Sequence, residues 1–294
     1  MSKIPESELI LNADNSVYHL NLLPHEISDT VINVGDPDRV QMVSAFFDSI
    51  EVKKQKREFI THTGHYKGKQ ITVLYTGIGT DNIDIVYNEL DSLANIDLEK
   101  REIKKDLRSL NLIRIGTSGS LQPDIPVDAF VFSQYGLGLD GLLNYYRLNN
   151  DNEETAIIHA FRKHYPNEGI LSLPYLARCS SKLEIALSEG MYKGITASCC
   201  GFYAPQGRVL RYELARPDFI QRLNSFKTEN HRITNFEMET GAMYGLARIL
   251  GHHCCSINAI VANRITNDHT HKSEETMTRL IKLVLDRLAL NVLS

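Results

Sequence analysis

The stretch Asn235-Phe236-Glu237-Met238-Glu239-Thr240 places one carboxylate on each side of a methionine, immediately before a helical pattern. Apolar residues recur there at the spacing of one helix face: Met238, Ala242, Leu246, Ile249 and Leu250. The pattern predicts a helix that packs one apolar stripe into a core. The helix dipole would explain one glutamate at its start. For a pair around a methionine we favour a sugar-binding site, because carboxylates accept hydrogen bonds from vicinal hydroxyls and a thioether packs against a furanose.

Upstream of this stretch, a strand followed by a glycine turn and a helix occurs twice. Residues 31–34 form an apolar run, and Gly35-Asp36-Pro37-Asp38-Arg39 interrupts it before a helical pattern. Backbone N–H groups in such a turn bind anions, and Arg39 adds a positive charge. Residues 71–75 lead into a second glycine turn and a helix for which Asp81 is the predicted N-cap. The buried face of that helix is predicted to hold Ile83, Val86, Tyr87, Leu90 and Leu93.

A third apolar run, residues 112–115, contains Arg114 and is followed by a predicted loop, Gly116-Thr117-Ser118-Gly119. An unpaired guanidinium inside an apolar strand is energetically expensive. Arg114 therefore needs an anionic partner, which is either a protein carboxylate or a bound anion. The hydroxyls and backbone N–H groups of the adjoining loop favour the bound anion.

Gln206 and Arg208 lie in a predicted loop that follows a predicted strand at residues 194–198. They are two positions apart, so in an extended segment both side chains face one ligand. An amide and a guanidinium together pair with an imide edge, which offers carbonyl oxygens beside an N–H. A surface loop explains the same pair equally well.

The other segments complete an alternation of strands and helices. Strands are predicted at 130–132 and 256–262, a charged surface helix and loop at 95–108, and a loop-rich region at 136–169. The last helix is predicted to have Ser273 as its cap and a buried stripe of Met277, Leu280, Ile281, Val284, Leu285 and Leu288. Without a linker or repeat, this order predicts one α/β domain of three layers over residues 1–294, with an irregular start at 1–16.

Composition excludes several classes of protein. The 294 residues are 43% hydrophobic and 23% charged, which is typical of a globular protein. A net charge of −4 argues against nucleic acid as a partner, so any anion must be held by locally placed arginines. No apolar run approaches the roughly 20 residues that span a bilayer. The first residues lack the order of a signal peptide, and we expect a cytoplasmic protein without a membrane partner.

The cysteines do not form an obvious disulfide framework. The five are Cys179, Cys199, Cys200, Cys254 and Cys255. An odd number that includes two adjacent pairs favours reduced thiols. The run from His252 to Cys255 suggests metal binding, but neighbouring residues of a strand point to opposite faces and the usual ligand spacing is absent. No metal site is expected.

These residues resemble the type-I nucleoside phosphorylases over nearly the whole chain, from about residue 17 onward. Three signatures occur in order: Gly35-Asp36-Pro37-Asp38-Arg39, Arg114-Ile115-Gly116-Thr117-Ser118-Gly119 and Glu237-Met238-Glu239. Further motifs resemble the members that act on uridine: Tyr18-His19-Leu20, Arg57-Glu58-Phe59, Thr196-Ala197-Ser198, Phe202-Tyr203-x-x-Gln206-x-Arg208 and Asn263-Arg264. The resemblance implies a single-domain three-layer αβα sandwich with a central mixed β-sheet.

The activity that this resemblance implies is a reversible phosphorolysis, in which uridine and phosphate give uracil and ribose 1-phosphate. The enzyme would be a pentosyltransferase of pyrimidine nucleoside salvage. Inorganic phosphate would be a co-substrate, and no organic cofactor is implied. The protein would be a homo-oligomer, at least a dimer, with a hexamer as the expected final state.

The resemblance also assigns residues to three parts of the site. Phosphate would be held by Gly35, Arg39, Arg114 and Thr117, with Arg57 from a neighbouring subunit. Ribose would be bound by Met238 and Glu239, with His19 from the neighbour. The base side would be lined by Ser118, Gly119, Phe202, Gln206, Arg208 and Glu237. The catalytic residues would be Arg114, Arg208 and Glu239.

Some segments depart from the family pattern. Thr80-Asp81-Asn82 replaces a small, proline-containing turn, the 95–108 insert is longer, and Cys199-Cys200-Gly201 replaces a more polar segment. The Thr80-Asp81-Asn82 departure bears on the subunit interface. The resemblance places a monovalent cation at this interface, near Glu58 and Ile78.

Three alternatives remain within the sequence. A purine nucleoside phosphorylase of the related bacterial type carries an aspartate after the last strand, where this chain has Asn263-Arg264 and no acid before Asp268. A nucleosidase that uses water needs no phosphate site, so Arg39, Arg57 and Arg114 argue against it. A non-catalytic nucleoside-binding protein would keep the same pocket.

Overall fold

The computed structural model describes residues 3–166 and 172–290 of the chain. Within these two ranges, helices and strands alternate only in part, because β2 to β4 and β5 to β8 follow one another without an intervening α-helix. The α-helices are α1 Pro37–Ser44, α2 Thr80–Asn95, α3 Asn152–His164, α4 Ser181–Leu187, α5 Phe219–Ser225, α6 Thr240–Leu250 and α7 Ser273–Leu290. The strands are β1 Thr30–Val34, β2 Ser49–Lys56, β3 Phe59–Tyr66, β4 Lys69–Tyr75, β5 Ile96–Asp97, β6 Glu102–Ile103, β7 Asn111–Ser120, β8 Phe130–Gly138, β9 Tyr175–Arg178, β10 Tyr192–Ser198, β11 Ile233–Glu237, β12 His253–Asn263 and β13 Asp268–His269.

The main sheet is mixed, as the fold prediction required. Strand β1 pairs in parallel with β4 on one side and β7 on the other, and β3 and β2 extend the sheet in antiparallel fashion. Beyond β7 the strands close into a ring. Strand β7 pairs with β12, β12 with β8, β8 with β10, β10 with β11, and β11 returns to β7. We call these five strands the barrel.

Two apolar clusters hold helices against this sheet. The larger cluster packs α1, α2, α4, α6 and α7 against the strands, and the second packs α3 and α5 against barrel strands β8, β10 and β11. The predicted apolar stripes of α2 and α7 are buried in the larger cluster. The α/β domain with a central mixed sheet is therefore confirmed, because apolar helix faces cover the sheet as layers.

Two helices start earlier than predicted, α2 by two residues and α7 by one. Helix α2 begins at Thr80 with Gly79 as its N-cap, so Asp81 lies in the first turn and the predicted Asp81 cap is wrong. Gly79 has φ of 91°, a conformation that glycine adopts without strain. Helix α7 begins at Ser273 itself, so this residue does not precede the helix as a cap.

Two predicted loops contain regular structure. Gly116 to Gly119 continue β7, because this part of the strand pairs with β12 across the barrel. The region 136–169 contains the end of β8 and helix α3, while residues 167–169 lie outside the described part of the chain. Asp151 caps α3 and forms a capping box with Glu154, which is a start signal visible in the sequence.

The segment at 95–108 forms a hairpin instead of the predicted surface helix. Helix α2 ends at Asn95, and Ile96 pairs with Ile103 across β5 and β6. The chain's first described residues hold this hairpin, since Ile4 N donates to the carbonyl of Arg101 at 2.8 Å. The helix prediction failed because these contacts are remote in sequence.

Candidate active site

One cavity of about 250 Å³ collects almost all of the predicted site residues. Every one of them except His19 and Arg57 lines this cavity. They come from the end of β1 with the start of α1, from β7, from the loop after β10, and from the β11–α6 junction. Additional lining residues are Asp36, Ile78, Phe236, Val261 and Ala262. Ligands of open α/β sheets bind outside the carboxyl ends of the strands, and most of these residues lie at such ends.

Arg39 forms one positively charged wall of the cavity. It lies in the first turn of α1, which Asp36 caps by accepting a hydrogen bond from Asp38 N at 3.0 Å. The buried guanidinium donates weakly to the Ile115 carbonyl at 3.4 Å and lies 3.6 Å from Asp36. Its Nε has no hydrogen-bond partner within the described residues. Burial lowers the pKa of Arg39, so this cation lacks full compensation and favours an anion beside it.

Arg114 is fully enclosed and is paired with protein carboxylates. Its Nη2 lies 2.6 Å from Glu239 and 3.2 Å from Glu237, and its Nη1 donates to Asn258 Oδ1 at 2.6 Å. Burial opposes the charge, but the two carboxylates outweigh burial and raise the pKa of Arg114. In the structure Arg114 pairs with protein carboxylates, one of the two partners that the sequence left open, whereas the adjoining loop favoured the other, a bound anion. Gly116 is required here, since a Cβ on it would lie 2.0 Å from the Arg114 guanidinium.

Glu237 ends β11 and caps the start of α6, so the predicted helix entrance is a strand–helix junction and Met238 lies outside the helix. Its Oε1 accepts from Ser198 Oγ at 2.6 Å, and its Oε2 accepts from the N–H groups of Glu239 and Thr240, both at 3.0 Å. Burial raises the pKa of Glu237 from its usual value of 4.5 to about 7, although the Arg114 charge acts in the opposite direction. The helix dipole therefore explains the position of Glu237. The role of Glu237 in binding a base remains a prediction.

Glu239 connects two motifs that are far apart in sequence. Its Oε2 accepts from Arg114, and its Oε1 accepts from Gly79 N at 2.8 Å. The turn that presents this N–H contains Gly77 and Gly79, both with positive φ. Glu239 thus accepts hydrogen bonds from two donors, against three for Glu237, and it lines the cavity together with Met238.

Gln206, Arg208 and two phenylalanines form the opposite wall. Arg208 donates to Gln206 Oε1 at 2.7 Å, and its guanidinium lies 3.7 Å from the centre of the Phe202 ring. The amide and the guanidinium are close, but the extended segment that the spacing argument assumed is absent, because Ala204–Gln206 is a 3-10 helix and Gly207 has φ of 65°. Burial and the nearby Arg264 lower the pKa of Arg208.

Arg264 belongs to the Asn263-Arg264 motif, for which the sequence indicated no role. It donates to the carbonyls of Gln206 at 3.1 Å and Gly207 at 3.4 Å, and its guanidinium lies 5.7 Å from the centre of the Phe236 ring. These contacts hold the loop that carries Gln206. The signal in the sequence is an arginine directly after the long apolar strand β12.

The β7 residues between the two walls include two with tight packing. Ser118 is buried, and its Oγ accepts from Asn235 Nδ2 at 2.8 Å. A Cβ on Gly119 would lie 3.3 Å from the Phe236 ring, so this glycine leaves room for the aromatic side chain. Thr117 and Gly35 line the cavity near Arg39 and carry no other distinctive contact.

His19 and Arg57 lie together on a separate surface. Arg57 is exposed and donates to Tyr18 Oη at 3.2 Å. The His19 ring lies 4.9 Å from that of Tyr18 and 6.5 Å from that of Phe59, and its Nδ1 is 2.7 Å from Glu89. Neither residue lines the cavity of its own chain.

The described residues contain no candidate metal site, disulfide or membrane-spanning helix. No group of three or more His, Cys, Asp or Glu side chains there is arranged to hold a metal ion. All five cysteines are free, and Cys200 is the exposed member. Among the helices of residues 3–166 and 172–290, none is long and apolar enough to cross a bilayer.

Comparisons with known proteins identify related sequences. A family profile described as the Phosphorylase superfamily matches residues 29–294. A uridine phosphorylase of Thermococcus kodakarensis is 29% identical over 277 residues, which cover 94% of this chain and 87% of that protein. A DeoD-type purine nucleoside phosphorylase of Oceanobacillus iheyensis is 26% identical over 273 residues, or 92% of this chain and 98% of that protein.

Solved structures show the same fold. A Trypanosoma brucei nucleoside phosphorylase, described as showing uridine phosphorylase activity, matches with a TM-score of 0.88 and 28% identity over 96% of this chain and 100% of that one. A uridine phosphorylase of the oomycete Phytophthora capsici matches with a TM-score of 0.73 and 19% identity over 97% of this chain and 100% of that one. The second likeness bears on the fold alone.

Proposed function

The chain belongs to the phosphorylase superfamily, and on this premise we propose that it catalyses the reversible phosphorolysis of uridine to uracil and ribose 1-phosphate. One observation carries the proposal. A single cavity is lined by two arginines, Arg39 and Arg114, by a methionine and a carboxylate, and by an amide–guanidinium pair. These three groups suit an anion, a sugar and an imide edge.

The phosphate end is formed by Arg39 and Arg114, with Gly35 and Thr117 beside them. Arg39 favours an anion because its guanidinium is buried and one of its N–H groups has no partner among the described residues. Arg114 has two neutralising carboxylates and serves mainly to orient the ligand, because its position is fixed by Glu239, Glu237 and Asn258. Guanidinium groups fixed in this way suit the oxygens of phosphate.

The sugar would lie over Met238 with its hydroxyls toward Glu239. A carboxylate accepts hydrogen bonds from two neighbouring hydroxyls, and the thioether covers the less polar face of the ring. The base would then meet Gln206 and Arg208, with Phe202 against its plane. Ser118, Gly119 and Glu237 would complete the base side.

The reaction needs charge stabilisation more than a strong acid. Cleavage of the glycosidic bond leaves positive charge on the ribose and negative charge on the departing uracil. Arg208 and Gln206 stabilise the base, and the phosphate dianion stabilises the sugar that it attacks. Holding both substrates in line is worth up to about 7–11 kcal/mol in favourable cases. No step requires a metal ion.

We further propose that two copies of the chain complete each site. His19 and Arg57 share one surface and do not line their own cavity. A partner that docks this surface at the cavity mouth would add Arg57 to the phosphate and His19 to the ribose. This arrangement requires at least a dimer, and a hexamer is the state that we expect for a cytoplasmic enzyme of pyrimidine salvage.

The monovalent cation at the subunit interface, near Glu58 and Ile78, stays a prediction. The Ile78 carbonyl accepts a hydrogen bond from Asn82 Nδ2 at 3.2 Å and keeps a second lone pair. The mechanism does not use this ion.

Purine nucleosides are the second candidate class of substrate, because purine nucleoside phosphorylases are also among the relatives. Against them, β12 ends in Asn263, and Arg264 follows it where the related bacterial purine enzymes carry an acid. Arg264 holds the Gln206 loop by two carbonyls and supplies no proton to a purine.

The test is base release from uridine, thymidine, inosine and adenosine, with and without phosphate. We expect uridine to react fastest and only with phosphate, thymidine to react more slowly, and the purine nucleosides to stay near background. Equal release without phosphate would indicate a nucleosidase and refute the proposal. Preference for inosine or adenosine would favour the purine alternative, and no release from any substrate would favour a binding protein.

A further inference from the structure

A chain of buried hydrogen bonds runs through the barrel and has both ends at the cavity. It begins at Arg114, whose Nη1 donates to Asn258 Oδ1 at 2.6 Å. Asn258 Nδ2 donates to Ser133 Oγ at 3.4 Å, and Ser133 Oγ lies 2.5 Å from Thr196 Oγ1. It continues through Asn235 and returns to the cavity at Ser118.

The second half of the chain is equally well connected. Thr196 Oγ1 donates to Asn235 Oδ1 at 2.8 Å, and Asn235 Nδ2 donates to Ser118 Oγ at 2.8 Å. The four interior members are completely buried, and Ser118 lines the cavity. They come from β12, β8, β10 and β11, while Arg114 and Ser118 both come from β7. The path therefore crosses every strand of the barrel.

The guanidinium of Arg114 fixes the orientation of Asn258. An arginine guanidinium has donors and no acceptor, so Asn258 presents Oδ1 to Arg114 and Nδ2 to Ser133. Asn235 has its Oδ1 toward Thr196 and Thr234, both at 2.8 Å, and its Nδ2 toward Ser118. In this orientation Ser133 donates to Thr196, Thr196 donates to Asn235, and Asn235 donates to Ser118.

Ser118 consequently receives a hydrogen bond from the protein interior and keeps its own hydrogen for the cavity. The base end is the nearest part of the cavity, because adjacent Gly119 packs against Phe236 and the Phe236 ring lies 5.9 Å from the Arg208 guanidinium. A hydroxyl that is fixed as a donor suits a carbonyl oxygen and rejects a second donor.

We propose that Ser118 donates a hydrogen bond to a carbonyl oxygen of the base, and that Asn235 is a positioning residue that fixes Ser118 as a donor. The inference rests on the proposed function and adds a third donor to Gln206 and Arg208. Negative charge grows on the base as the glycosidic bond breaks, so this hydrogen bond strengthens in the transition state. Its loss lowers kcat more than it raises KM.

The first experiment compares Ser118→Ala with Ser118→Thr in steady-state phosphorolysis of uridine. Loss of a hydrogen bond to a group that becomes charged lowers kcat/KM by about 10- to 150-fold. The threonine variant keeps the hydroxyl and should recover most of that loss. Ser256→Ala is the matched control. Its hydroxyl is equally buried and is bonded to Asn258, but it lies off the path, so kcat and KM should change little.

The second experiment reverses the last hydrogen bond with the isosteric variant Asn235→Asp. An ionised carboxylate accepts from both Thr196 and Ser118, so the Ser118 hydrogen turns away from the cavity and activity falls. A protonated carboxyl can again donate to Ser118. The activity of Asn235→Asp relative to wild type should therefore decline as pH rises through the pKa of the new carboxyl, which burial raises. Ionisation of a buried carboxyl also lowers stability, so unfolding midpoints are measured over the same pH range, and the step in activity should occur where the variant is still folded.

A double variant separates coupled from independent effects. Adding Ser118→Ala to Asn235→Asp at high pH should cost little beyond either change alone, since both remove the same hydrogen bond. Additive losses, a flat ratio across pH, or Ser118→Ala within threefold of wild type would each overturn the proposal. If Asn235→Asp fails to fold, the comparison of Ser118→Ala with Ser118→Thr still decides it.

The two proposals fail in different ways. Wild-type protein that does not cleave uridine with phosphate contradicts the proposed function. The same variants are then measured on whichever nucleoside the protein does cleave or bind. Normal uridine turnover with an unimpaired Ser118→Ala contradicts only the role of Ser118.

Discussion

Replacing Arg114 by methionine tests the charge balance at the centre of the site. Methionine roughly preserves the volume of the side chain and removes its charge, so the effect is mainly electrostatic. The guanidinium lies 2.6 Å from Glu239 and 3.2 Å from Glu237, and all three side chains are buried. Removing one partner of a buried ion pair costs about 3–5 kcal/mol, because a charge remains without compensation. We expect a loss of that size in the free energy of unfolding at pH 8.

The structure also predicts which carboxylate carries most of this cost. Glu237 keeps the hydroxyl of Ser198 and the N–H groups of Glu239 and Thr240 as donors. Glu239 keeps the N–H of Gly79. The uncompensated charge therefore lies mainly on Glu239, so adding Glu239→Gln to Arg114→Met should restore more stability than adding Glu237→Gln.

The assay is urea denaturation of the three variants and the wild type at one protein concentration, at pH 5 and pH 8. The loss caused by Arg114→Met should be smaller at pH 5, where protonation of a carboxyl removes part of the repulsion. A loss below about 1 kcal/mol at pH 8 would place the pair in the range of exposed ion pairs and refute the reasoning. Equal rescue by the two glutamine substitutions would refute the assignment to Glu239.

Three further outcomes are expected. Glu237 holds its proton more tightly in the folded protein, so its contribution to stability is present below pH 4.5 and is lost as pH rises to about 7. Glu237→Gln should remove that decline from urea midpoints measured across this window, and an unchanged slope would contradict the raised pKa. Arg208→Ala should lower the ratio of kcat/KM for uridine to that for inosine, and an unchanged ratio would show that base choice lies elsewhere. Mixing subunits of the inactive variants Arg57→Ala and Arg39→Ala should restore about a quarter of wild-type activity, because half of the mixed dimers' sites are intact. No recovery in verified mixed dimers would refute shared sites.

The parts of the fold that were predictable are those specified by local sequence. The apolar stripes of α2 and α7 follow from helical spacing alone, and both are buried as predicted. Helix α3 was missed although Asp151 and Glu154 form a capping box that the sequence displays. The failure there was one of interpretation, since the physical signal was present.

Other features depend on contacts that no local pattern contains. Gly116 to Gly119 form a strand because β12 lies beside them, about 140 residues away in the chain. Two glycines in four residues predict a loop when they are considered alone. The helix assigned to 95–108 failed for the same reason, because residues from the N-terminal segment hold a hairpin there.

The candidate site likewise combines features that the sequence predicted with features that depend on remote contacts. The sequence motifs brought the cavity-lining residues together through a resemblance to known enzymes, and the geometry agrees with that grouping. The hydrogen-bond chain through Asn258, Ser133 and Thr196 had no signal, because each member is an ordinary polar residue in an apolar strand. They form a chain of hydrogen bonds only because the closed barrel brings their strands into contact.

Arg114 belongs both to the cavity lining and to the buried hydrogen-bond chain. One of its nitrogens balances Glu239 and Glu237, and another donates to Asn258, the next member of the chain that ends at Ser118. These partners hold the guanidinium in one position, so the dipoles at the sugar and base positions need little rearrangement when substrates bind. Preorganised charge of this kind stabilises a transition state without a reorganisation cost during the reaction. A lysine at this position would keep the charge but not the planar fork, and it would therefore leave either the carboxylates or Asn258 without a donor.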